Sequence, residues 1–159
     1  MSKNCWDVGQ RAEDLFAACL AKRGISCRPS NRDEQIYGHI DFHTDKGTVD
    51  VKAMKRVNRS DSSQQNQYTW VEFKNVRGNV GWLCSKVDFI AFEYPDYFLV
   101  VKRSSLEQKA KLICDLDNLT NKGGMEALYR GYQRAGRKDL IAMIKMSDIE
   151  SLPHKKLPK

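Results

Sequence analysis

Residues 39–56, HIDFHTDKGTVDVKAMKR, carry two short alternating runs. Ile40 and Phe42 alternate with His39, Asp41 and His43, and past a break Val49 and Val51 alternate with Thr48, Asp50 and Lys52. Period-two patterning marks strands with one buried face. Asp45, Lys46 and Gly47 supply the turn, because glycine takes a positive φ without a Cβ clash. An even loop, either Asp45-Lys46 or residues 44–47, sets Asp41 across from Asp50 and His39 across from Lys52, and it gathers Ile40, Phe42, Val49 and Val51 on the other face. A three-residue loop would set Phe42 against Asp50 and mix the faces, so the hydrophobic pattern selects the even register.

Directly opposed cross-strand residues have Cβ atoms only ~4.5–5.5 Å apart, and like charges there repel. Two carboxylates so placed call for a cation between them. Mg²⁺ takes oxygen ligands and is commonly held by one or two carboxylates together with water and substrate phosphate. Lys52, two residues past Asp50 on the same face, brings an ammonium to the same spot, where it can offset phosphoryl charge. The pattern Asp41, Asp50, Lys52 is a coherent site for phosphodiester hydrolysis.

The hairpin resembles the core of the PD-(D/E)XK nuclease superfamily, with small phage-type and Holliday-junction-resolvase-like endonucleases as the nearest kinds. Asp41 matches the first acid, and Asp50-Val51-Lys52 the (D/E)XK element; Ile40 stands where the superfamily's name has proline. Upstream, Gly9-Gln10-Arg11-Ala12-Glu13 resembles the helix whose glutamate joins the metal site, and downstream residues 69–93, TWVEFKNVRGNVGWLCSKVDFIAFE, resemble a block of small phage proteins of this kind. The resemblance spans roughly residues 9 to 102 and implies a restriction-endonuclease-like α/β core, a mixed central sheet of about five strands flanked by helices. It implies a metal-dependent endodeoxyribonuclease in which Asp41, Asp50 and Glu13 hold Mg²⁺, or Mn²⁺ as a substitute, and Lys52 assists catalysis. DNA is the expected partner ahead of RNA. Two other readings stay open: a catalytically silent nuclease fold that binds DNA or a nucleic-acid-processing complex, and a structure-specific resolvase acting as a homodimer.

The chain has 159 residues, 41% of them hydrophobic, with a net charge of +7 and a pI near 9.2. That length suits one domain, here 1–152, followed by a basic tail, 153–159, expected to fray. The basic balance favours a polyanionic partner without specifying chemistry. Five scattered cysteines, Cys5, Cys19, Cys27, Cys84 and Cys114, include no Cys-x-x-Cys pair. They predict neither a zinc site nor a disulfide framework, and they fit a reducing cytoplasm, including a host cytoplasm for a phage-encoded protein. With no signal-peptide pattern and no apolar run near ~18 residues, membrane insertion is not expected.

Residues 8–23 read as an amphipathic helix between Asp7 as N-cap and Gly24 as stop, with Ala12, Leu15, Phe16, Cys19 and Leu20 facing inward and Glu13 at the stripe's edge. The first hairpin strand is expected to begin near Gln35, with His39 and His43 lining the groove or exposed rather than binding metal. Residues 68–74 read as a third strand, in which Glu72-Phe73-Lys74 is a rival acid-x-Lys triplet and Glu72 a further candidate at the site. Residues 87–92 and 97–102 read as central strands, with Asp88 an ordinary strand-end acid; a helix follows through a capping box from Ser104 or Ser105. Residues 140–146 read as a last strand. Lys55, Arg56 and Arg59 past the hairpin, and Arg130, Arg134, Arg137 and Lys138 interleaved with Tyr129 and Tyr132, are the candidate nucleic-acid contacts.

Overall fold

A computed structural model describes residues 2–58, 60–61 and 63–159, with side chains from Asp7 onward. The fold is α/β, with four helices and two mixed sheets of six and four strands among the described residues. The chain divides into two compact units: Met1–Ala53, Lys86–Lys102 and Pro153–Lys159 form the first, Met54–Ser85 and Arg103–Leu152 the second. No helix of the described residues is long and apolar enough to cross a membrane.

In the first unit, helix α1 (Ser2–Lys22) is followed by strand β1 (Cys27–Pro29), helix α2 (Arg32–Gly38) and strands β2 (Phe42–Thr44) and β3 (Gly47–Lys52). Strands β5 (Phe89–Glu93), β6 (Tyr97–Lys102) and β10 (His154–Pro158) complete its sheet, in the order β1-β2-β3-β5-β6-β10. Only β3 and β5 run parallel, with Asp50 beside Ile90 and Lys52 beside Phe92. The α1 stripe does what its spacing predicts: Ala12, Phe16, Cys19 and Leu20 are buried against Phe42, Val49, Val51, Ala91 and Phe98. Phe16 meets Phe98 edge-on at 5.2 Å and Phe42 at 6.0 Å. Gly24, at φ 66, ends the helix in the left-handed conformation that a Cβ penalises.

Three expectations fail in this unit. The stretch from Gln35 belongs to α2, because Asn31 caps it through a complete capping box with Glu34, and β2 starts only at Phe42. The tail is a strand: His154–Pro158 pairs antiparallel with β6, and main-chain bonding holds what composition alone marks as frayed. The sheet has six strands rather than about five, and the expected third strand is not in it.

That strand, β4 (Tyr68–Lys74), belongs to the second unit, whose sheet runs β4-β9-β8-β7. Its other strands are β7 (Asp115–Thr120), β8 (Arg130–Tyr132) and β9 (Leu140–Lys145). Helix α3 (Arg103–Ile113) buries Leu106 and Ala110, and helix α4 (Met146–Glu150) buries Met146 and Ile149. Glu107 takes Arg103 at 2.5 Å and Lys111 at 2.6 Å, so its carboxylate pairs along the helix.

Candidate active site

The hairpin adopts the even register but its ladder stops at Phe42, so His39 does not pair with Lys52; the capping of α2 takes it instead. Phe42 pairs with Val49, His43 with Thr48 and Thr44 with Gly47, leaving Asp45-Lys46 as the two-residue turn. Thr44 Oγ1 donates to Gly47 O at 2.7 Å and accepts the Lys46 N–H at 3.1 Å, which closes the turn from inside. Asp88 fixes the base of β3 by accepting the N–H and hydroxyl of Thr48 at 2.9 and 3.0 Å. Gly47 turns at φ 136, a conformation that favours glycine, and a Cβ there would press on the Asp88 carboxylate at 2.8 Å.

Asp41 precedes β2 and slips out of the regular ladder: its N–H donates to Val49 O at 2.9 Å, and its carbonyl accepts from the Ser30 N–H at 2.9 Å. The slip frees its side chain to cross to β3. Asp41 Oδ2 accepts the Val51 N–H at 2.7 Å, between the two polar side chains of the Asp50-Val51-Lys52 triplet. Burial pushes its carboxyl up to about 6; the Val51 hydrogen bond opposes that rise, and the nearby Glu13 charge adds to it.

Asp50 is 4% exposed. Burial pushes its carboxyl up to about 7, against the pull of Lys52 and with the push of Asp41. Lys52 Nζ stands 3.0 Å from Asp50 Oδ2, close enough for an ion pair, yet that oxygen has no partner in hydrogen-bonding geometry.

Glu13 reaches this group from α1. Desolvation raises its pKa first, a hydrogen bond with Asp41 lowers it, and the Asp50 charge raises it again. Glu13 therefore lies within the electrostatic reach of Asp41, Asp50 and Lys52, whose fixed contacts are the Val51 N–H on Asp41 and the Lys52 ammonium on Asp50. His39 and His43 stand apart from it in role: His39 ends α2 at φ 55, and His43 Nε2 pairs with Glu34.

Among the described residues no group of three His, Cys, Asp or Glu side chains forms a ready metal cage. The donors present are the Asp41 and Asp50 carboxylates with Glu13 behind Asp41, a hard-oxygen set of the size Mg²⁺ uses when water and phosphate complete its shell. The buried, directionally unsatisfied Asp50 Oδ2 fits that use. A cation there would take the place of the protons that the crowded carboxyls otherwise retain.

Glu72 is not a strand neighbour of this cluster. The neighbours of β3 are β2 and β5, whereas β4 pairs with β9, and Glu72 Oε1 accepts the Trp82 N–H at 3.3 Å within the second unit. The triplet that Asp41 and Glu13 adjoin is therefore Asp50-Val51-Lys52. Of the basic candidates, Arg130 is bound to Asn118 and Arg134 to Asp139, while Arg56, Arg137 and Lys138 are exposed. The Lys55 backbone bridges to Gln65, and Arg59 lies outside the described residues.

Sequence reading missed one feature beside the cluster. Glu93, 1% exposed at the end of an apolar strand, binds Arg11 at 3.1 Å and Lys159 at 2.9 Å. It ties Arg11, two residues before Glu13 in α1, and Lys159, just past β10, to the end of β5. A lone acid closing the run FIAFE is the signal that could have found it, since a buried carboxylate demands a partner. Comparison with protein-family models, curated proteins and solved structures found no match for this chain.

Proposed function

We propose that the protein is a Mg²⁺-dependent endonuclease that hydrolyses DNA phosphodiester bonds through a PD-(D/E)XK-type site on a restriction-endonuclease-like core. The observation that carries the reading is the fastening of Asp41 to the Val51 N–H between Asp50 and Lys52, with the Lys52 ammonium 3.0 Å from Asp50 and Glu13 of α1 near enough to feel these charges. Such a group is costly to a fold and useful to phosphoryl chemistry.

Asp41 and Asp50 would hold the divalent ion. When bound, the ion supplies Lewis-acid charge at the phosphoryl oxygens and acidifies water. Val51 N–H keeps the Asp41 carboxylate aimed across the hairpin, and Glu13 would add a further carboxylate beside it, directly or through water. Lys52, held beside Asp50, orients the attacking water or balances the charge that develops on the phosphate.

Supercoiled plasmid, linear duplex, single strand, four-way junction and RNA, each with Mg²⁺, Mn²⁺ or EDTA, form the deciding panel. Metal-dependent cutting that Asp50→Ala and Lys52→Ala both lose is the expected result, and the best substrate names the subclass. No cutting of any substrate, with salt-sensitive DNA binding retained in both variants, replaces catalysis with a binding role for the same fold.

A further inference from the structure

Two turns of the second unit, residues 74–81 and 133–139, are built against one another. Asn75 Oδ1 accepts the N–H groups of Arg77 and Asn79 at 3.0 Å each, and Gly78 turns at φ 81. The Lys138 N–H then donates to Val76 O at 3.2 Å, and a Cβ on Gly78 would lie 3.3 Å from that of Lys138. Behind the second turn, buried Asp139 takes Arg134 through two bonds of 2.8 and 2.5 Å. This pair neutralises the single acid in either segment and commits Arg134 to holding the turn.

What remains is an exposed group of four cations, Lys74, Arg77, Arg137 and Lys138, with no acidic side chain in the two turns to offset them. Four exposed cations carried on touching turns raise the local positive potential, which attracts a polyanion. Val76 and Val80 stand among them, 48% and 57% exposed, and offer apolar surface between the charges. Regularly spaced phosphates with apolar sugar edges between them match that alternation.

We propose that the paired turns are a nucleic-acid backbone grip, in which Lys74, Arg77, Arg137 and Lys138 contact phosphates and Arg134 acts as a strut. The proposal rests on the nucleic-acid reading above and adds a binding site in a different unit from Glu13, Asp41, Asp50 and Lys52. It divides the basic cluster of residues 130–138 by role and brings in Lys74 and Arg77 from a separate turn.

The test is fluorescence anisotropy of a labelled duplex of about 20 base pairs, in EDTA, between roughly 50 and 200 mM salt. The variant Arg77→Gln/Arg137→Gln/Lys138→Gln should make the plot of log affinity against log salt shallower by roughly three, and Arg77→Gln alone by about one. A charge-matched control, Lys22→Gln/Lys46→Gln/Lys155→Gln, takes exposed lysines from the first unit and should leave the slope within about one of wild type. Equal losses in the two triple variants overturn the grip while leaving nucleic-acid binding in place. Wild-type protein that binds no duplex at the lowest salt overturns the grip and the nucleic-acid reading together.

Discussion

Asp41 Oδ2 accepts the backbone N–H of Val51 at 2.7 Å, so the first acid is fastened to the strand between the side chains of Asp50 and Lys52. The bond fixes the carboxylate without using Asp50 or Lys52 for the purpose. Those two side chains pair with each other at 3.0 Å.

Asp50→Ala and Lys52→Ala should each lower metal-dependent cleavage by about 10²-fold or more, the usual scale for removing a group that stabilises developing charge. DNA affinity in EDTA should change little in either variant. Single-turnover cleavage beside anisotropy separates the two effects, and a Lys52→Ala protein that cuts at the wild-type rate removes Lys52 from the mechanism.

Glu13 lies within the electrostatic reach of Asp41 and Asp50, and among the described residues no ready cage of three ligands forms. Glu13→Gln keeps the shape and loses the charge, so the Mg²⁺ concentration for half-maximal cutting should rise about 10–100-fold, as for other groups that orient a metal ligand. A fall in the maximal rate with unchanged Mg²⁺ dependence would place Glu13 elsewhere in the reaction.

The Asp50 carboxyl, raised from 3.8 to about 7, binds its proton more tightly in the folded chain than in the unfolded one. By linkage the folded wild type gains stability from this group below pH about 4 and loses it as pH rises toward 7. Asp50→Asn does not titrate. Without metal, its melting temperature relative to wild type should therefore climb between pH 4 and 7 and level off above. Thermal melts in EDTA across that range read the effect, and a flat difference would show that Asp50 ionises as readily in the fold as in the open chain.

Phe16→Ala should cost about 3–5 kcal/mol, since the ring is buried and wedged between Phe42 and Phe98. Urea unfolding measures it. A loss below about 1 kcal/mol would mean that the first unit repacks around the gap.

Gly81→Ala strains the second unit instead. Its Cβ would lie 2.3 Å from the Glu72 carbonyl oxygen, a main-chain atom of β4 that cannot swing away. Hydrogen exchange should show β4 and β9 opening more readily, with the amides of β3 and β5 unchanged. Uniform loss of protection in both sheets would mean that the units unfold together.

The α1 stripe and the even hairpin register were legible because each is a local repeat with one buried face, and β5 and β6 because each is a short apolar run buried nearly throughout. Helix α2 was not. None of its residues is buried, so it carries no hydrophobic period, and the Asn31–Glu34 box alone announces it. The two-unit division was also hidden, because the chain passes between the units near residues 53, 85, 102 and 152, and no linker composition marks those points.

The sequence by itself determined the even register that pairs Phe42 with Val49, because a one-residue slip of a period-two pattern would put Phe42 among the polar side chains. Only the tertiary structure decided which further groups join Asp41 and Asp50. Glu13 arrives from a helix about thirty residues earlier, held by apolar packing against Phe42, Val49 and Val51, and Glu72 is taken into another sheet by pairing with β9. Strand partners distant in sequence are chosen by the burial of whole faces, a sum over many contacts that no short motif contains.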